Sequence, residues 1–119
     1  MMNQSFVMIG VNSLEISVSF YETILDFHTE KNIEPGDGIR IAFLSNTDNF
    51  TLELIEKADH PAAGNKGSSV SLMFSNNDLD EKRKILRYND IEYVDDVLPN
   101  GMKYVRFRDP DGVGIVLYE

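Results

Sequence analysis

Few side chains in this chain could do chemistry, and their types narrow the field at once. Its 119 residues include no cysteine and only two histidines, His28 and His60. Thiolate nucleophiles, disulfides and thiolate metal sites are therefore excluded. His28 follows a helical stretch and His60 stands in a glycine-containing linker, so both read as surface residues. Carboxylates and guanidinium groups remain. Glu53, in Leu52-Glu53-Leu54-Ile55, and Arg106, in Tyr104-Val105-Arg106-Phe107, sit in strand-like runs whose neighbours point to opposite faces. A lone charge on an inward face is costly. The two either pair with each other or meet a polar ligand. Glu53 is also a candidate general base, because apolar surroundings make a carboxylate more basic.

The other charged clusters have simpler readings. Asp109 and Asp111 could suggest calcium, but Asp109-Pro110-Asp111-Gly112 is first a turn. Pro110 presets φ, Asp109 can accept from the backbone two residues on, and Gly112 takes a positive φ at little cost. Lys82-Arg83-Lys84 reads as a solvated helix face, and Asp95-Asp96 as an exposed loop.

These residues must be positioned by regular elements, and the pattern supplies them. A strand is expected over 5–11. A helix over 13–25 follows, with Asn12 or Ser13 as its cap, Glu15 in capping-box position after Asn12, and Leu14, Val18, Tyr21 and Leu25 at helical spacing. Strands over 27–31, 39–44 and 50–56 come next, with a loop at Glu34-Pro35-Gly36-Asp37-Gly38. After a linker over 58–68 the order recurs: a strand over 69–75, a helix from the Asp78/Glu81 capping box to about Tyr88, and strands over 91–94, 102–108 and 113–118.

The recurrence extends to single residues. Asp37-Gly38-Ile39-Arg40-Ile41-Ala42-Phe43-Leu44 lies on Asn100-Gly101-Met102-Lys103-Tyr104-Val105-Arg106-Phe107 without a gap, at an offset of 63. The same offset carries Asn46-Thr47-Asp48-Asn49 onto Asp109-Pro110-Asp111-Gly112, while Leu14 and Leu79 match at 65. A repeated strand-helix-strand-strand-strand unit is the simplest account.

Val11-Asn12-Ser13-Leu14-Glu15-Ile16-Ser17 running into Phe20-Tyr21-Glu22 and Leu25-Asp26-Phe27, together with Asn77-Asp78-Leu79-Asp80 and Phe107-Arg108-Asp109-Pro110-Asp111-Gly112, resembles the vicinal oxygen chelate superfamily. That superfamily includes glyoxalase I, bleomycin-resistance proteins and extradiol dioxygenases. One departure is Asp26, where the family usually has glycine. The resemblance implies an α+β fold: two βαβββ modules, 5–57 and 68–119, forming a cupped mixed sheet with helices on the outer face, within one domain over 1–119. It also implies a homodimer.

The family's metal chemistry uses His, Glu or Gln in the middle of the first and last strand of each module. Those positions fall on Phe6, Glu53, Ser71 and Val116, and a shift of two brings in Met8 or Met73. One carboxylate does not make a divalent site. No metal and no other cofactor is expected.

Strand parity gives the rest. One face carries Val7, Ile9, Leu52, Leu54, Val70, Leu72, Val105, Phe107, Ile115 and Leu117 for the helices. The cup face offers Phe6, Met8, Phe43, Glu53, Ser71, Met73, Tyr104, Arg106 and Val116 as ligand-binding candidates, a mix typical of small-molecule pockets. A third reading is that side chains fill that space, leaving only a dimerisation or regulatory role.

The leading expectation is metal-independent binding of a small organic molecule in an apolar cup. The alternative is a lyase, isomerase or dioxygenase-type enzyme using Glu53 as base or metal ligand. Twenty acidic against eleven basic residues give a net charge of −9, which argues against nucleic acid and anionic membrane as partners. That charge would suit a cationic ligand, though Arg106 argues against one. No secretory or membrane-spanning pattern stands out, so a cytoplasmic address is expected.

Overall fold

A computed structural model describes residues 5–59 and 70–119. The chain forms two compact units, Met1–Ala63 and Gly64–Glu119. The first contains β1 (Val7–Gly10), α1 (Leu14–Leu25), β2 (His28–Gly36), β3 (Ile39–Ser45) and β4 (Thr51–Lys57). The second contains β5 (Ser71–Ser75), α2 (Leu79–Tyr88), β6 (Val94–Val97), β7 (Lys103–Arg108) and β8 (Gly114–Tyr118). Strand order is β1-β4-β3-β2 in one sheet and β5-β8-β7-β6 in the other. In each, the first and last strands pair in parallel and the remaining pairs are antiparallel. Two βαβββ modules of one topology make this an α+β fold.

Equivalent backbone hydrogen bonds are closed by equivalent residues. Ser13 caps α1 by accepting from Ile16 N at 3.3 Å, and Asp78 caps α2 by accepting from Glu81 N at 3.0 Å. The cap is Ser13 rather than Asn12, and the Glu15 carboxylate accepts from Arg40. Asn46 Oδ1 accepts from the backbone N–H of Asp48 and Phe50 at 3.0 and 2.9 Å. Asp109 Oδ1 accepts from Asp111 and Val113 at 2.9 and 2.8 Å, so both final hairpins turn on the same side-chain device. Asn49 and Gly112 then take matching left-handed conformations, φ 62° and 89°. Asp26 does the same after α1 at φ 59°, which is the physical reason glycine suits that position.

Packing follows strand parity. Ile9, Leu52, Leu54, Leu72, Val105, Phe107, Ile115 and Leu117 are buried, as the alternation requires. In the first unit α1 lies against β2, β3 and β4. It buries Leu14, Ser17, Tyr21, Ile24 and Leu25. In the second, α2 buries Leu79, Lys82 and Leu86. Lys82 at 5% exposure and the ion-paired Arg83 correct the solvated-face reading of Lys82-Arg83-Lys84.

Other differences have local causes. Val70 is 67% exposed because it precedes β5 and has no ladder to orient it. β2 runs on to Gly36, with register irregularities, so the expected five-residue loop shrinks to a two-residue turn. Asp37 and Gly38 make that turn, both with positive φ (56° and 74°). β6 lies at Val94–Val97 rather than 91–94. Ile91 N first bonds the Leu86 carbonyl to close the helix end, which delays the strand. The expected linker and His60 lie largely outside the described residues.

Candidate functional site

Each sheet has a second face, opposite the buried one, and the sequence-derived candidates stand there. Register aligns them in cross-strand rows. In the first unit Met8 lies beside Glu53 and Glu53 beside Phe43, with Lys31 next. In the second, Met73 lies beside Val116 and Val116 beside Arg106, with Val94 next. These rows are equivalent in the two modules. One step along, Ser71 lies beside Gly114 and Gly114 beside Arg108. One step the other way, Tyr118 lies beside Tyr104, and Tyr104 beside Asp96.

In the first unit Phe6, Glu30, Lys31, Phe43, Ser45, Asn49 and Thr51 line a pocket of about 290 Å³. Phe6 precedes β1 and packs edge-on to Phe43, ring centroids 5.2 Å apart. Lys31 Nζ stands 5.5 Å from the Phe43 centroid, a cation–π contact. The Ser45 hydroxyl donates to Glu30 at 2.6 Å, and His28 Nε2 lies 2.6 Å from the same oxygen. Ser45 first, then His28, holds the Glu30 carboxyl below its ordinary range. Exposed Met8 and half-buried Glu53 complete this face. Met8 is exposed to 62%.

In the second unit a larger pocket of about 540 Å³ brings together Ser71, Arg106 and Val116 among its lining residues. Arg108, Glu92, Tyr93 and Gly114 belong to it too, and none of those four was foreseen from sequence. The signal for Arg108 was available, since it lies two residues from Arg106 on one strand. Met73, 52% exposed, and half-buried Tyr104 occupy the same face. Desolvation first, then its hydrogen bond to Asp96 (3.1 Å), raises the Tyr104 phenol above its ordinary range.

Arg106 is exposed, which corrects the expectation of a buried charge needing neutralisation. Glu53 belongs to the first unit and Arg106 to the second. Among the described residues neither is recorded in an ion pair.

A second polar cluster escaped sequence reading altogether. Arg40 Nη2 donates to Glu56 Oε1 and to Glu15 Oε1, each at 2.9 Å, and Glu56 Oε1 also accepts from Leu14 N at 2.8 Å. The cluster ties the start of α1 to β3 and β4. Arg40 holds the Glu15 carboxyl down at about 2. Its equivalent in the other module is simpler: Glu119 Oε1 accepts from Leu79 N at 3.2 Å.

The donors do not fit a catalytic divalent ion of the kind the fold could carry. Among the described residues no three His, Asp or Glu side chains converge. The positions that the resemblance assigns to metal ligands hold Phe6, Glu53, Ser71 and Val116, of which only Glu53 is a ligand type. The faces present aromatic, thioether and guanidinium groups.

No helix among the described residues is long and apolar enough to cross a membrane. No curated protein matches the chain. Among solved structures it is similar to a glyoxylase/bleomycin resistance protein/dioxygenase domain from Frankia sp. EAN1pec, with TM-score 0.83 and 22% identity over 99% of this chain and 91% of that one. A glyoxalase family protein from Bacillus cereus gives TM-score 0.80 and 24% identity over 100% and 94%. The trypanothione-dependent glyoxalase I of Leishmania major gives 0.77 and 23% over 94% and 82%. At these identities the likeness speaks for the fold. The model of the Glyoxalase/Bleomycin resistance protein/Dioxygenase superfamily matches residues 4–117, nearly the whole length, and the chain belongs to that superfamily.

Proposed function

We propose that this protein binds a small organic molecule without a metal, on the sheet faces that carry Phe6, Met8, Phe43, Glu53, Ser71, Met73, Tyr104, Arg106 and Val116. One observation carries the reading. In both modules a pocket of several hundred cubic ångströms lies at equivalent strand positions, lined in the first by two aromatic rings among polar and charged side chains and in the second by aliphatic groups beside two arginines. Phe43 is the main apolar anchor of the first, gripped by Phe6 and Lys31.

Native mass spectrometry of the freshly purified protein tests the reading, followed by calorimetry with whatever copurifies. A single bound organic species is expected, with Phe43→Ala weakening it about tenfold or more, roughly 1.4 kcal/mol. Stoichiometric divalent metal lost in Glu53→Ala would overturn metal independence.

A second reading rests on Glu53 itself, half-buried between Met8 and Phe43 with no ion pair recorded among the described residues. A carboxylate so placed could abstract a proton from a bound substrate, as a lyase or isomerase would require. Turnover of the copurifying compound, abolished in Glu53→Gln with binding retained, would favour it. A homodimer and a cytoplasmic address accompany the proposal. The first draws support from the superfamily resemblance and is checked by sedimentation. The second draws support from a chain without cysteine and is checked by fractionation.

A further inference from the structure

The second-unit pocket has a chemistry that its counterpart lacks. Arg106 and Arg108 project from the same face of β7, two residues apart, into a pocket of about 540 Å³. The equivalent positions on β3 hold Phe43 and Ser45. The fold therefore does not require arginine at either place. Nor are these arginines recorded in ion pairs: among the described residues neither meets a carboxylate, in a chain with twenty acidic side chains.

Their surroundings look built. Arg108 Nη1 donates to the Gly112 carbonyl at 2.8 Å, which fixes the guanidinium plane at one corner. In the pocket lining, Ser71 Oγ lies only 2.6 Å from where a Cβ at Gly114 would stand. Gly114 has no left-handed backbone to explain it, so the missing side chain serves to keep the hydroxyl in place. The first module has Phe6 and Thr51 at those two positions. Tyr93, another wall residue, accepts from Arg87 Nη1 at 2.6 Å, which adds a third positive charge nearby. Ile91, Val94 and Val116 supply an apolar wall, and Glu92 is the one carboxylate in the lining.

Two guanidinium forks and a hydroxyl beside an apolar wall match an oxyanion attached to a small apolar body. We propose that this pocket binds the carboxylate or phosphoryl group of a small organic anion, held by Arg106, Arg108 and Ser71. The proposal rests on the binding reading above and names its ligand class. It replaces the expectation of a cationic ligand drawn from net charge: a uniform negative field acts at long range, whereas these groups act at contact and behind screening.

The test is a nuclear magnetic resonance titration of the full chain, following arginine Nε and backbone amide signals, with benzoate and inorganic phosphate as separate probes. Saturable shifts centred on Ser71, Arg106, Arg108 and Gly114 are expected from at least one probe, weakening as salt rises. Benzoate alone would identify a carboxylate ligand, and phosphate alone a phosphoryl one. Arg106→Gln and Arg108→Gln should each weaken binding about tenfold, and Gly114→Ala should weaken it with both arginines intact. Arg106→Lys, which keeps the charge, guards against a merely misfolded variant and should retain part of the affinity. No saturable shift, or shifts indifferent to all these changes, would overturn the proposal. Benzoate shifts confined to Phe6 and Phe43 would overturn it while leaving the broader binding reading intact. Phosphate binding at the arginines with no copurifying organic species would do the reverse.

Discussion

The two modules share a backbone and differ in what they hang on it. They share one strand order, cap the equivalent helices from equivalent positions and turn the same hairpin on Asn46 or Asp109. On the open faces the match ends: Phe6, Phe43, Ser45 and Thr51 in one module stand where Ser71, Arg106, Arg108 and Gly114 stand in the other. The polar anchors of the helices differ as well. Arg40 joins Glu15 to Glu56 in the first, and Arg83 joins Asp80 to Asp95 in the second. A duplicated frame thus keeps the groups that specify its fold and frees the others for chemistry. Side chains that satisfy buried backbone groups cannot change cheaply, whereas those on an open face can.

If that division is real, equivalent core positions should behave alike. Leu54 and Leu117 match at the offset of 63, and each is at most 1% exposed. Replacing either with alanine should cost about 2–5 kcal/mol through lost burial and the cavity left behind. Urea unfolding of Leu54→Ala and Leu117→Ala checks this. Costs differing by more than about 2 kcal/mol would mean that the two cores are not packed alike.

The hairpin turns should separate the modules more finely. Asn46 and Asp109 each satisfy two backbone N–H groups, but Asp109 is 5% exposed and Asn46 is half-buried. Bonds to a buried carboxylate are stronger, and donors orphaned there have no water to turn to. Asp109→Ala should therefore cost about 2–3 kcal/mol and Asn46→Ala about 1, by thermal unfolding. Asp109→Asn should recover most of the difference, and equal losses at both sites would contradict the argument.

What could be read from sequence follows the same division. The Asp109-Pro110-Asp111-Gly112 turn and the Asp78/Glu81 start were visible because local backbone chemistry demands particular residue types there. Strand parity sorted buried from open faces except at Val70, which lies outside the ladder that would have oriented it, and at Val7, which is only half-buried at the start of β1. Lys82 misled because a charged run on a helix says nothing of which member lies beneath it. The Glu15-Arg40-Glu56 cluster was invisible because it joins residues 25 and 16 positions apart across three elements. The second-unit pocket was half visible: Ser71, Arg106 and Val116 came from parity, but the role of Gly114 needed the position of Ser71 Oγ.

The smallest effect concerns that cluster, and it sharpens the contrast at the helix starts. Arg40 first, then a backbone hydrogen bond, stabilises the charged form of Glu15 and holds the carboxyl down at about 2 when folded, against its ordinary 4.5. A group whose folded value is depressed contributes its stability fully above the unfolded value and loses it as pH falls towards the folded one. Glu15 is exposed, and solvent keeps the contribution modest. Arg40→Gln should therefore be less stable than the parent at pH 7, with the gap narrowing as pH falls from about 4.5 to about 2. Glu15→Gln should narrow it over the same interval. In the second module, Lys103 stands at the position equivalent to Arg40, and Glu119 meets Leu79 N. Lys103→Gln should leave the acid limb unchanged, because no carboxylate in its module is recorded as ion-paired to it. Melting curves of the three variants at stepped pH measure this, and an acid limb that shifts equally for Arg40→Gln and Lys103→Gln would remove the distinction between the two helix anchors.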